Sequence, residues 1–307
     1  MSFSLVPGFA QRYPKSDDPD YVAGTMLQTP LPDPVGTPSP VIQSGSSVIL
    51  SGAKDLLIET CCTTLEQARS AQFRGAGRIE LCVDLSVGGV TPPRDLIREV
   101  VSRLTIPVNI LVRPAMKRTS GALGYPSENN AAHGSGGGAH ASAWEGGFQR
   151  DTLRDSTQAA FGFSSKDFIY GEEELQEMID TIAFCKSVGA TGVVLGALTP
   201  EGAIDRAAMR RLIAAAAPLP VTFHRAYDVC TADPFIALDQ IIALGCTRLL
   251  TSGQAPNAWD GRGVLALLVR RAGPRLIVMP GCGITPDNLP ALASATRALE
   301  FHGTRIP

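Results

Sequence analysis

Eight short runs of β-branched and Leu-rich residues recur along this chain, separated mainly by stretches that alternate with them and carry helical spacing. The runs are Leu56–Thr60, Arg78–Cys82, Val108–Arg113, Gly192–Gly196, Val221–Arg225, Arg248–Ser252, Leu276–Pro280 and Leu299–His302. Runs that lack inside/outside alternation suit strands buried on both faces of a parallel sheet. Between them, Leu175, Met178, Ile179 and Ile182 fall at i, i+3, i+4 and i+7, one face of a helix, and Met209, Leu212, Ile213 and Ala216 repeat the spacing. Thr63 with Glu66 predicts a capping box before the first helix. Thr285 before Pro286 predicts an N-cap with proline at the first helical position. Gly75, Gly189 and Gly245 stand where helices should stop.

Eight βα units predict an α/β fold closed as a (β/α)8 TIM barrel, with an open doubly wound sheet as the alternative. The barrel is assigned to residues 52–307. Residues 1–51 are rich in Pro, Gly, Ser and Thr, show no period and predict a disordered leader. Residues 115–166 contain the stretch HGSGGGAHASAWEGG and predict a flexible insertion after the third strand, because so much glycine disfavours any regular element. His133 and His140 flank that glycine run and read as loop residues. Without the insertion the barrel is close to the lower limit of roughly 200 residues for this architecture. No helix is expected between the eighth run and Pro307.

Composition removes several function classes. With 44% hydrophobic residues a sizeable core can form, and a formal net charge of −2 argues against coating nucleic acid or an anionic membrane. No stretch approaches the roughly 18 to 20 apolar residues of a membrane span, and the N-terminus lacks the layout of a signal peptide. The expected location is the cytoplasm, with access to the nucleus. Cys61, Cys62, Cys82, Cys185, Cys230, Cys246 and Cys282 are odd in number and dispersed, so free thiols are expected rather than a disulfide framework.

In a parallel barrel, functional groups gather at the C-terminal ends of the strands. That rule selects Glu59 and Cys61 on strand one, Glu80 and Cys82 on strand two, and Arg113 on strand three. It adds His224, Arg225 and Asp228 after strand five, Ser252 and Gly253 after strand six, Gly281 and Gly283 after strand seven, and Glu300 and His302 on strand eight. Glu59, Glu80, Arg113, His224, Arg225 and Asp228 are candidates for acid–base or substrate-clamping roles. Structural ion pairs closing the barrel are the bland alternative. Ser252, Gly253, Gly281 and Gly283 are candidates for an anion site, because barrels often hold phosphate after strands seven and eight. Cys61 and Cys82 end neighbouring strands, where two thiolates suit a soft ion such as Cu(I), although buried core thiols satisfy the same spacing. Cys62 should face away from Cys61, into packing.

Six segments carry a family resemblance: residues 75–93 (GAGRIELCVDLSVGGVTPP), 195–205, 219–230, 249–256, 277–285 and 299–304. Their order and spacing resemble the CutC copper-homeostasis family. The resemblance implies a TIM barrel, a cytoplasmic and, in eukaryotes, also nuclear location, an oligomer, and copper binding, with the family's candidate Cu(I) cysteines falling on Cys61 and Cys82. This chain departs from the family in its insertion, in Cys282 where PGGG would place glycine, and in a shorter tail. Three hypotheses result. The first is a copper-homeostasis protein binding Cu(I) through Cys61 and Cys82. The second is a TIM-barrel enzyme acting on a phosphorylated or carboxylated small molecule at the C-terminal face. The third is a partner-binding scaffold that uses the insertion.

Overall fold

The computed structural model describes residues 56–115 and 163–306. The leader assigned to residues 1–51 lies outside them, as do residues 116–162 of the insertion with His133 and His140.

Eight strands alternate with seven α-helices among the described residues. The strands are β1 (Leu57–Cys62), β2 (Arg78–Leu81), β3 (Val108–Leu111), β4 (Gly192–Leu195), β5 (Val221–Phe223), β6 (Arg248–Thr251), β7 (Ile277–Pro280) and β8 (Glu300–Gly303). The helices are α1 (Leu65–Phe73), α2 (Arg94–Arg103), α3 (Glu172–Ser187), α4 (Arg206–Ala216), α5 (Pro234–Leu244), α6 (Arg262–Ala272) and α7 (Leu289–Thr296). Every pairing is parallel, in the order β7-β6-β5-β4-β3-β2-β1-β8, and β7 lies against β8 to bring the two edges together. Because β1 is flanked by both β2 and β8, the sheet curls into a TIM barrel and the open-sheet alternative falls.

The strands are buried on both faces, but the two faces differ chemically. In β2, Ile79 and Leu81 join an apolar layer with Ile110, Val193, Phe223 and Phe301, packed against helix residues such as Ile97, Ile182 and Leu212. Arg78 and Glu80, the alternate positions, are equally buried yet polar, and so are Glu59, Asn109, Thr222 and Glu300. A period of two is therefore present in the sequence after all, hidden because its polar half faces the barrel axis instead of solvent. Each leucine or isoleucine in the outer layer contributes about 1.5–3 kcal/mol of burial. That layer supports the cost of the polar interior.

Two expected helix starts are displaced. The first cap is Thr64, whose hydroxyl accepts from Gln67 N, while Gln67 Oε1 accepts from Thr63 N. The capping logic holds one residue later, with glutamine in place of Glu66. Thr285 opens a turn in which its hydroxyl accepts from Asn288 N, and α7 starts only at Leu289. The glycine stops hold: Gly75, Gly189 and Gly245 all have positive φ.

The returning end of the insertion is built into the barrel. Phe163 is buried, and a short 3-10 turn, Ser165–Phe168, packs Phe168 onto the same face.

Candidate functional site

A cavity of about 430 Å³ opens at the C-terminal ends of the strands. Cys61, Glu80 and Cys82 form part of its wall, with Arg113, His224, Arg225, Cys282, Gly283 and His302. Leu111, Leu250, Ile284, Phe163 and Phe168 supply apolar wall.

Cys61 and Cys82 point inward from β1 and the end of β2, and their sulfurs stand 3.2 Å apart. With Leu111 and Val194 they form a small cluster separate from the main apolar layer. Cys62, the next residue, packs into the outer layer, as alternation requires. The hydrogen bond with Cys82 raises the Cys61 pKa well above its ordinary value, and burial and the nearby Glu80 add to that.

Below the thiols lies a charged network. Arg78 donates to Glu59 and, at 2.6 Å, to Glu300, which also accepts from Arg248 at 2.8 Å. His302 Nδ1 donates to Glu59 Oε1 at 2.9 Å and lies 3.5 Å from Glu80 Oε2. Asn109 adds a longer bond to Glu59. Burial alone would raise the Glu59 carboxyl, but the His302 hydrogen bond and Arg78 outweigh it and bring the pKa down to about 2. Glu80 has weaker support. Burial pushes it up to about 7 despite the opposing pull of His302, and Oε2 accepts no hydrogen bond among the described residues. Burial lowers His302, yet Glu80 and Glu59 reverse this and leave it raised.

Two overlapping donor trios result: Cys61, Glu80 and Cys82, and Glu59, Glu80 and His302, with ligand atoms in each within 4.8 Å of one another. The first is soft at two positions and suits a thiophilic ion. The second is harder, and Glu59 in it is already committed to Arg78.

The other candidates separate into cavity and scaffold. Arg113 lines the cavity, donates through Nη1 to the carbonyls of Val87 and Gly89, and lies over the Phe168 ring. His224 packs against the same ring, with the two ring centroids 4.9 Å apart, and burial and Arg113 pull its pKa down to about 3. Arg225 Nε donates to Asp228 Oδ2 at 2.9 Å, and its guanidinium sits over Phe163.

Asp228 turns away from the cavity. It accepts from Thr251 Oγ1, Ser252 N and Gln254 N, tying the loop after β5 to the loop after β6. Among the anion-site candidates, the Ser252 amide is spent on Asp228 and the Ser252 hydroxyl donates to Ala255 O. Gly253 N donates to Thr251 Oγ1 and Gly281 N to Thr251 O. Of the four, only Gly283 lines the cavity.

Sequence reasoning did not single out Arg78, Asn109, Phe163 or Phe168. Arg78 was findable, because it shares the period-two register of Glu80 and Cys82. Nothing local marks Phe163, which belongs to the segment read as insertion.

Comparison with known proteins adds the family. The CutC family model matches residues 56–128 and 164–306. A CutC family protein of Parabacteroides distasonis is 38% identical over 247 residues, covering 80% of this chain and 81% of its own. One from Histophilus somni is 37% identical over 245 residues, with 80% of each chain covered. The crystal structure of a CutC from Streptococcus agalactiae, named for copper homeostasis, superposes with a TM-score of 0.63 at 28% identity, over 82% of this chain and 100% of that one. An aldolase, QR15, at 10% identity and a TM-score of 0.50, shares the fold alone.

Proposed function

The chain belongs to the CutC family, and from that membership we propose that it serves copper homeostasis by binding Cu(I) through the thiolates of Cys61 and Cys82. The observation that carries this reading is the 3.2 Å approach of two buried sulfurs at the head of the barrel. Metal–thiolate bonds of about 2.3 Å let one ion touch sulfurs up to about 4.6 Å apart, so this pair is within reach of a single ion. Soft sulfur selects Cu(I) over the hard divalent ions that carboxylates prefer.

The surroundings support the same chemistry. Leu111 and Val194 pack against the pair, an apolar setting that favours compact thiolate ligation. The Cys61 thiol is held protonated in the free protein, and because thiolates are the ligands, uptake of the ion must release protons. Glu80, one residue across the ladder from Cys61, is placed to accept one of them. The reading brings with it a cytosolic location, extending to the nucleus in a eukaryotic cell, and a homo-oligomeric state. No helix of the described residues is long and apolar enough to cross a membrane.

X-ray absorption at the copper edge of the reduced, Cu(I)-loaded protein tests the ligand set. Two sulfur scatterers per copper are expected. A first shell of nitrogen and oxygen would reject the thiolate pair.

A further inference from the structure

Two buried hydrogen-bond donors on the cavity wall have no acceptor among the described residues. Arg113 is 2% exposed and its Nε finds no partner, while Nη1 is used on two neutral carbonyls. His224 is 5% exposed and its Nε2 also finds none. Ala226 N donates to His224 Nδ1 at 3.3 Å. Nδ1 is therefore the bare nitrogen of the neutral ring, and Nε2 carries the proton. Both side chains line the same cavity and both rest against the Phe168 ring, so the two donors belong to one site. A buried donor without an acceptor is destabilising, and a structure keeps such a pair where a ligand supplies the acceptors.

We propose that this cavity binds a small organic carboxylate, whose two oxygens accept from Arg113 Nε and His224 Nε2. Two neighbouring N–H donors, one charged and one neutral, match one carboxylate. Phosphate fits less well. The amides of Ser252, Gly253 and Gly281 that would wrap it are already engaged, and Arg225 is tied to Asp228. Glu80 on the same cavity also opposes a second negative charge. Leu111, Leu250, Ile284 and Phe163 favour a hydrocarbon body on the ligand, and a cavity of about 430 Å³ has room for a small organic molecule. The site does not depend on the copper reading, since neither donor is a thiol.

Calorimetric titration of the reduced, metal-free full-length protein with butyrate, lactate and succinate, and with inorganic phosphate beside them, tests the proposal. Saturable binding of at least one carboxylate is expected, weakened tenfold or more in Arg113→Lys and in His224→Asn. The asparagine keeps an acceptor for Ala226 N while removing the Nε2 donor, so it decides the matter if the lysine variant does not fold. Binding should persist in Cys61→Ser/Cys82→Ser. No saturable binding by any of the three carboxylates would overturn the assignment. So would preference for phosphate, affinity unchanged in a folded variant, or loss in the thiol double variant.

Discussion

Cys61 and Cys82 meet across a staggered ladder. The register places Cys61 opposite Glu80 and Cys62 opposite Leu81, so Cys82 lies one residue past the last paired position, yet the two sulfurs are 3.2 Å apart. The stagger puts a carboxylate beside the thiol pair, and the chain after β2 must turn sharply to hold Cys82 there. That turn uses Gly88 and Gly89, both at positive φ.

Gly89→Ala should therefore disturb the thiols as well as the fold. Its φ is +86°, and a Cβ there would stand 2.9 Å from Leu111 Cδ2 and 3.5 Å from Cys82 Cβ. Left-handed backbone costs a residue with a Cβ roughly 1–2 kcal/mol. Urea unfolding should show at least that loss, and Cu(I) affinity should fall with it.

Arg78 should be the most sensitive charge in the barrel. It joins Glu59 and Glu300, and removing it strands buried carboxylates. Arg78→Met should cost about 3–5 kcal/mol in denaturant unfolding. Adding Glu59→Gln and Glu300→Gln should recover much of that loss, because the uncompensated charges are then gone.

His224 should make stability depend on acid. In the unfolded chain its imidazole titrates near 6.5, whereas the folded barrel keeps it neutral down to about 3. Between those values only the unfolded state binds the proton. This contribution is therefore complete above pH 6.5 and is lost as pH falls, by about 1.4 kcal/mol per pH unit. His224→Asn should flatten the fall relative to wild type over that window. The carboxylates Glu59 and Glu80 titrate in both proteins and cancel in the difference. Denaturant midpoints at pH 7, 6, 5 and 4 measure it.

The barrel was legible because eight runs and their helical separators impose one topology, and the strand-end rule alone brought Cys61, Glu80, Cys82, Arg113 and His224 to one cavity. What stayed illegible was relational. Asp228 looks like a site residue in sequence, but it spends its oxygens on Thr251 and on the Ser252 and Gln254 amides. Only the fold shows that the Ser252, Gly253 and Gly281 amides are already used. Phe163 closes over the site from a stretch whose glycine-rich neighbours hid it. Arg78 was missed because a buried arginine reads as a strand end until its partners on β1 and β8 are known.

Cys282 carries strain without a clear return. Its φ is +79°, and its thiol donates to Pro256 O at 3.3 Å. Cys282→Gly should leave stability unchanged or raise it by up to about 1 kcal/mol, since relief of strain is partly offset by the freer unfolded chain. Thermal unfolding measures this. Cu(I) stoichiometry should be unaffected, which would separate this thiol from the pair.

The central claim concerns Cys61 and Cys82, and anaerobic titration of the reduced protein with Cu(I) against a competing chelator tests it most directly, wild type beside Cys61→Ser/Cys82→Ser. The account predicts about one ion per chain bound by the wild type, and loss of that binding in a double variant that still folds. Binding that survives the double substitution, or a wild type that never competes with the chelator, would contradict it.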